Sequence, residues 1–398
     1  MAKGLTRIMH QIIQTLFFIG FFVIAFIIAL PCQRLFNISD DQDHRYKHLD
    51  GVRGLAALGV VACHVNHHLL AYFGITGIPL IGNRIGFISV QLFFALTAFL
   101  FTKKALENKL DPASFYMARV RRIVPLYLFV ASMTILVCFY LSVKTSNDFS
   151  LHFKGIIDIF SYGFLGNGVL SFGSINALSF IGIAWTLSYE WKFYLVLPPL
   201  YFLYRQSTFM AITIVLSVLL LAFRDLYTLG NASWPFFIIG SLGAWLMCHY
   251  PSLQDSKIKP FLGTIPLLAL LLSLITPGEF DFKHFFLAGI LFLGILIAKP
   301  KILTYKPLLF LGRISYSIYL LQYLVIFTVQ QFTLMHPVAL LTHPIQKFIS
   351  CFSIGIILIP VATLSYKLIE LPGIKGTFWS QFAFIKNLVR RRHRLLTE

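Results

Sequence analysis

The chain has 398 residues, 58% of them hydrophobic and 12% charged, with a mean hydropathy of +0.79 and a formal net charge of +18. This composition excludes a soluble enzyme of the same size, and the apolar runs of about 20 residues are too continuous for the alternating pattern of a membrane barrel. The basic residues lie in short loops and a tail between those runs, which is a positive-inside distribution rather than a nucleic-acid surface, so the expected class is an all-α integral membrane protein with membrane lipids and no nucleic acid as partners.

The first apolar run extends from Gln11 to Leu30, after Lys3 and Arg7. Pro31-Cys32-Gln33-Arg34 is not a small-residue cleavage site, so a retained helix is expected rather than a signal peptide. A polar linker from Asn37 to Lys47 carries Asp40, Asp41 and Asp43. The next helix is expected over about Gly51 to Phe73, with Asp50 as its N-cap. It holds Arg53 and His64 inside an apolar run, and eleven residues at about 100° each return the two to nearly one face, roughly 16 Å apart. Ionisable groups in membrane helices cost about 2.5 to 3.5 kcal/mol and by default mark functional sites; the alternative is a histidine satisfied by a neighbouring helix. His64, His67 and His68 have helical spacing but no carboxylate beside them on that helix, so no metal is expected. Cys63 points to a different face from His64 and makes no dyad with it. Five scattered cysteines without Cys-x-x-Cys spacing indicate neither a disulfide framework nor a zinc site.

A second helix follows over Gly86 to Phe101. Between Thr102 and Arg122, Lys103, Lys104, Lys109, Arg119, Arg121 and Arg122 outweigh Glu107 and Asp111, so this loop is expected in the cytoplasm. After a span from Ile123 to Leu141, the Gly- and Ser-rich stretch Ser142 to Phe180 is expected outside, with a re-entrant or interfacial patch from Ile156 to Leu170. The remaining spans are Ile181 to Tyr204, Thr208 to Leu226, Trp234 to Cys248, Phe261 to Ile275, Phe285 to Ala298, Leu308 to Phe332 and Phe348 to Leu371, which makes ten from Gly51 onward. Loop charges alternate accordingly: Lys257 and Lys259 inside, Glu279 and Asp281 outside, Lys299, Lys301 and Lys306 inside, with the tail at Arg390 to Arg394 inside as well. An even-numbered core places the N-terminus of the extra first helix outside, unless that helix only lies on or re-enters the membrane.

Two polar constellations interrupt the apolar runs. Arg119 and Arg122 are three apart and face neighbouring positions on a helix; guanidinium groups bind phosphate bidentately, although most juxtamembrane arginines are anchors. The run WTLSYEWKFY, Trp185 to Tyr194, places Ser188 and Glu190 deep in an apolar stretch, where a carboxylate needs a partner such as Lys192 or an arginine.

These runs carry a resemblance. LDGVRGLAALGVVACH, Leu49 to His64, is similar to the signature of the acyltransferase-3 family, in which an arginine is followed ten intervening residues later by a histidine. VQLFFALTAFL, Val90 to Leu100, resembles the family's second helix, with Thr97 and Ala98 where a Ser-Gly pair is usual. Arg119 and Arg122 match its Arg-x-x-Arg, and Trp185 to Phe193 its Trp-x-Leu and Ser-x-Glu-x-x-Phe motifs. Leu311 to Leu320 resembles its ninth helix, with Gln322 where a histidine is common, and Ser365 to Pro372 its last helix, which ends in Glu-x-Pro.

The resemblance implies a ten-helix transmembrane acyltransferase bundle over residues 48–374. An N-terminal hydrophobic helix and linker (1–47) would precede it and a basic cytoplasmic tail (375–398) follow it, in the cell inner (plasma) membrane. It further implies an acyl donor, acetyl-coenzyme A, taken from the cytoplasm and an acceptor hydroxyl on an envelope carbohydrate or lipid-linked glycan, such as lipopolysaccharide O-antigen. His64 would act as base or acyl carrier, Arg53 would position the donor or stabilise developing negative charge, and Glu190 would orient His64 or Arg53. Arg119, Arg122 and Ser188 would bind the coenzyme. The rival reading is a transporter or lipid-carrier flippase, because buried charges also mark translocation paths.

Overall fold

The computed structural model describes residues 2–36, 38, 46–67, 80–166, 169–254, 259–335 and 344–377. The basic tail beyond residue 377, most of the acidic linker, His68 and the end of the helix expected to reach Phe73 lie outside the described residues. Within them, α1 (Ala2–Leu35), α2 (Lys47–Val65), α3 (Leu80–Leu106) and α4 (Pro112–Ser146) are followed by α5 (Phe153–Leu165). A two-strand antiparallel hairpin, β1 (Ser171–Phe172) with β2 (Ile175–Asn176), and the single turn α6 (Leu178–Ile181) lead into α7 (Trp185–Tyr204). Then come α8 (Thr208–Thr228), α9 (Phe236–His249), α10 (Lys259–Ile275), α11 (Phe282–Ala298), α12 (Lys306–Arg313), α13 (Ser315–Met335), α14 (Pro344–Ser365) and α15 (Leu371–Lys375), with α14 and α15 joined through one π-helical turn. Among the described residues five spans are long and apolar enough to cross a membrane alone, and the pair α12–α13 makes a sixth, bent by 72°. The helices α9, α10 and α11 are shorter apolar elements. The chain is a multi-pass membrane protein.

The organising helix begins earlier than its sequence pattern indicates. Lys47 opens α2 and Tyr46, with φ −127° and ψ 52°, takes the cap position without a side-chain cap bond. Asp50 therefore sits in the first turn instead of capping it, where its carboxylate favours the helix dipole and lies 3.6 Å from the Arg53 guanidinium one turn on. Likewise, most of the basic segment from Thr102 to Arg122 is helical, because Pro112 at the first position and Asp111, whose Oδ2 accepts from the Ser114 N–H at 2.9 Å, start α4 early. Only residues 107–111 turn. Hydrogen bonds from Lys103 (2.6 Å) and Lys109 (2.8 Å) hold the Glu107 carboxyl there down to about 2 from its ordinary value of 4.5. A depressed carboxylate stabilises the fold above its unfolded value, so this tie is intact at neutral pH and is lost only as pH falls from about 4.5 toward 2.

The single helix expected over Leu308 to Phe332 is broken at Ile314, whose backbone lies in the bridge region at φ −91° and ψ 9°. The reason is the docking of α12 on α2. A Cβ on Gly312 would overlap the Asp50 carbonyl oxygen, and one on Gly54 would crowd the Leu308 carbonyl oxygen, so the backbones touch and α12 lies across the start of α2 while α13 turns away to follow it. Glycine is the residue that permits this approach. On the far side of α2, α3 meets α9 in the same manner, with Gly240 against the Ala95 carbonyl oxygen.

The stretch from Ser142 to Phe180, expected outside, begins as the end of α4 and continues, among the described residues, as α5, the hairpin and α6. Tyr127 pins α5 to α4: its hydroxyl donates to the Ile159 carbonyl at 2.6 Å and accepts from the Gly163 N–H at 2.8 Å. The other face of α5 exposes Phe153, Ile157 and Leu165, as an interfacial helix does.

The helix α1 packs along α14. Phe17, Phe21, Ala25, Ala29 and Cys32 form a buried stripe of helical period, while Leu16, Ile19, Val23 and Ile27 on the opposite side are exposed and equally apolar, as a lipid-facing surface requires. Phe17 stacks on Phe352, Phe21 lies against Gly355 and Cys32 lies beside Thr363, so the two helices run parallel. Because α14 runs toward the end of the bundle that holds Arg122 and Glu370, the N-terminal end of α1 lies at the opposite end. An N-terminal epitope tag should therefore be accessible from the side opposite to a label at Asn108→Cys; accessibility from the same side would contradict this packing. Gly312→Ala should cost about 1 to 3 kcal/mol through overpacking against α2, whereas Gly289→Ala, which meets nothing within 4 Å, should be neutral; thermal unfolding midpoints in detergent compare the two.

Candidate active site

Four helices point one face each at a common internal cavity of about 80 Å³, and α2 adds Arg53 from its first turns. Phe93, Phe94, Thr97 and Phe101 of α3, Arg119, Arg122 and Ile123 of α4, Thr186, Leu187, Glu190 and Tyr194 of α7, and Ser315, Tyr316 and Tyr319 of α13 recur at three- and four-residue spacings, as one helical face demands. The cavity thus gathers Arg53, Arg119, Arg122 and Glu190, four of the residues singled out in the sequence.

Glu190 receives a hydrogen bond from the Tyr194 hydroxyl at 2.7 Å, one turn on, and a long one from Thr97 at 3.5 Å. Lys192 is not its partner; that ammonium sits 5.2 Å from the Tyr189 ring. Arg119 stacks its guanidinium 4.5 Å from the Phe101 ring centroid, an arrangement that holds a cation in an apolar setting. Arg122 approaches Glu370 at 3.8 Å. Glu370 is fully buried and accepts from the Ser317 hydroxyl at 2.8 Å. Glu370, Ser317 and Tyr194 are site residues that motif reading did not assign, although each is a polar group in an apolar run and Tyr194 stands four residues after Glu190.

Two recesses border this cavity at the end of the bundle that carries Arg121 and Ile374. A recess of about 460 Å³ is lined by Lys47, Arg53, Arg122, Lys306, Arg313, Asp50 and Glu370 among others, and so shares Arg53 and Arg122 with the cavity. A second, of about 400 Å³, lies beside Arg119, Arg121 and Arg122. This end of the bundle is the basic face.

His64 and Ser188 lie outside the cavity lining. Ser188 is turned to the other side of α7, where it is buried, donates to the Trp185 carbonyl at 2.8 Å and faces Gly166 at the end of α5. His64 sits in the last turn of α2, at the end of that helix remote from the basic face. Its Nδ1 lies 2.9 Å from Gln322 Oε1 and its ring centroid 4.7 Å from that of Tyr323. On α13 the cavity lining ends with Tyr319, whose hydroxyl pairs with Thr186 at 2.7 Å. Gln322 and Tyr323 follow on α13 by three and four residues, so His64 is held about one helical turn along α13 from Tyr319. Glu190 thus belongs with the arginines, and Gln322 supports the histidine. His67 is exposed. Among the described residues, no three His, Cys, Asp or Glu side chains converge as a metal site would need.

The profile of the acyltransferase domain family, acyltransferase-3, matches residues 46–364. The chain belongs to the acyltransferase-3 family. Every cavity residue named above falls within the matched segment; Glu370 lies just past it. Members similar to this chain include the peptidoglycan O-acetyltransferase OatA of Listeria monocytogenes, 25% identical over 379 residues that cover 85% of this chain and 57% of the relative. The O-acetyltransferase OatA of Staphylococcus aureus is 24% identical over 382 residues, with 85% and 58% coverage. The chain therefore spans less than two thirds of the length of these acyltransferase-3 relatives. No solved structure matches it.

The Arg122–Glu370 pair generates a test of how the site is held. Arg122→Ala leaves a buried carboxylate without its cation and should cost about 1 to 3 kcal/mol. Adding Glu370→Gln, which keeps an acceptor for Ser317 but removes the charge, should recover most of the lost thermal stability; no recovery would mean that the pair does not couple the two helices.

Proposed function

We propose that the chain is an O-acyltransferase of the plasma membrane that moves an acetyl group from acetyl-coenzyme A at the cytoplasmic face to a hydroxyl of an envelope glycan on the other side. The observation that carries this reading is that the basic recess and the arginine-lined cavity share Arg53 and Arg122 as common walls, with a histidine about one helical turn along α13 from Tyr319 of the cavity lining. The basic loops between α3 and α4 and between α11 and α12 support a cytoplasmic basic face, and with it a bundle of ten crossings over residues 48–374, a cytoplasmic C-terminus, and an N-terminal segment of α1 and the linker that precedes the bundle, with α1 packed on it. The glycan named for the Listeria relative favours a cell-wall polymer over lipopolysaccharide O-antigen as acceptor.

Arg119 and Arg122, with the cations of the recess, would bind the coenzyme phosphates by charge-assisted, partly bidentate bonds. Arg53 stands about 16 Å along α2 from His64, too far to stabilise charge that develops at the histidine, so its role is to position the donor. His64 would take the proton of the acceptor hydroxyl as its oxygen attacks the thioester carbonyl. The C–S bond breaks, and the proton passes to the departing thiolate sulfur. In the covalent route the same histidine nitrogen attacks the thioester carbonyl first and the C–S bond breaks to release the thiolate; the hydroxyl oxygen then displaces the histidine, the acyl C–N bond breaks, and the hydroxyl proton passes to the thiolate. Ser188, buried away from the cavity, would act by fixing α7 against α5 rather than by touching the coenzyme.

Release of free thiol from acetyl-coenzyme A by the purified protein, with a glycan fragment as acceptor, tests the reading against a transporter, which would release none. Arg119→Ala should weaken coenzyme binding about tenfold or more through lost charge-assisted bonds. His64→Gln should leave binding within about twofold of wild type, since it removes no phosphate contact, and abolish transfer. Wild-type transfer by a folded His64→Gln protein would make His64 a structural residue and end the assignment.

A further inference from the structure

We propose that Gln322 is a positioning residue that fixes the tautomer of His64, so that the proton rests on Nδ1 and Nε2 is the nitrogen that works in acyl transfer. The transfer part of this statement rests on the proposed function above; the tautomer part does not.

Gln322 is completely buried on α13, and its amide makes two hydrogen bonds. Its Nε2 donates to the Tyr319 carbonyl at 2.8 Å, and its Oε1 lies 2.9 Å from His64 Nδ1. A backbone carbonyl can only accept, so the amide nitrogen must face it. The flipped amide would set two acceptor oxygens against each other at hydrogen-bond distance, shielded from solvent, a cost that the buried setting does not relieve. With the amide oriented in this way, Oε1 is an acceptor toward the histidine, and the bond exists only if Nδ1 carries the proton. The tautomer of a neutral imidazole is set by the bond its other nitrogen makes, so the basic lone pair is on Nε2. The support is rigid: Gln322 is anchored one turn from Tyr319, whose hydroxyl is tied to Thr186 and to the Ile183 carbonyl at 3.2 Å, and the Tyr323 ring lies against the imidazole. An amide performs this task without adding a charge to the bundle, unlike the buried aspartate that orients histidine in serine hydrolases.

The tautomer is read directly from the nitrogen resonances of isotope-labelled histidine in the full-length protein, with His64 identified by subtraction of the His64→Ala spectrum and the pH high enough for a neutral ring. A protonated Nδ1 and an unprotonated Nε2 are expected; a protonated Nε2 overturns the proposal, whatever the variants do. Gln322→Leu should lower kcat about ten- to a hundredfold, as loss of an orienting partner does, with the KM for acetyl-coenzyme A unchanged. Gln322→Glu, which restores an acceptor, should recover part of that loss. A Leu variant at wild-type kcat, or a Glu variant no better than Leu, counts against the proposal. If the wild-type protein transfers nothing to any acceptor, the functional reading fails while the resonance measurement still decides the tautomer.

Discussion

Three guanidinium groups enclosed by apolar helices set the terms for the rest of this bundle, because an isolated charge in such a place is strongly disfavoured. Each is accommodated differently. Arg53 leans on Asp50 in its own helix, Arg122 on Glu370 carried by a segment more than two hundred residues away, and Arg119 on the face of Phe101. Glu190 stands among them with its oxygens bonded to hydroxyls instead of nitrogens. Across the cavity and the adjoining recess, Lys47, Arg53, Arg119, Arg122, Lys306 and Arg313 face three carboxylates. That surplus of positive charge is what makes this end of the bundle the basic one.

Such an arrangement requires the first turns of α2 to lie close to several partners at once. Gly54 and Gly312 supply the contact with α12, Gly51 the contact with the turn before it, and the break at Ile314 lets α13 begin beside the cavity and then run along α2 to the histidine. One short helix and one long helix thereby do two separate jobs: α12 clamps the arginine end, and α13 carries Tyr319 and Gln322 to the histidine end.

Much of this was legible in the sequence because membrane helices leave few polar residues to choose among. The helix positions followed from apolar runs, and Arg53, Arg119, Arg122 and Glu190 stood out as charges inside them. Boundaries were less legible, since the caps of α2 and α4 lie in polar segments where hydropathy has no contrast. The bend at Ile314 has no proline to announce it and depends on contact with α2. Ser188 and Glu190 are two apart and so project to different sides of α7; a linear motif joins them, but a helix separates them. Gln322 was visible only as a departure from a common histidine, and its meaning came from two hydrogen bonds that no spacing rule encodes.

The break before Ser315 also leaves the start of α13 at the wall of the cavity, where Ser315 and Tyr316 face inward. The first N–H groups of a helix have no acceptor within it, and the aligned peptide dipoles place about half a positive charge at that end. This contribution has no proton to lose and no side chain to mutate. The start of α13 therefore adds a contribution of positive sign at this wall that belongs to the backbone and not to any side chain.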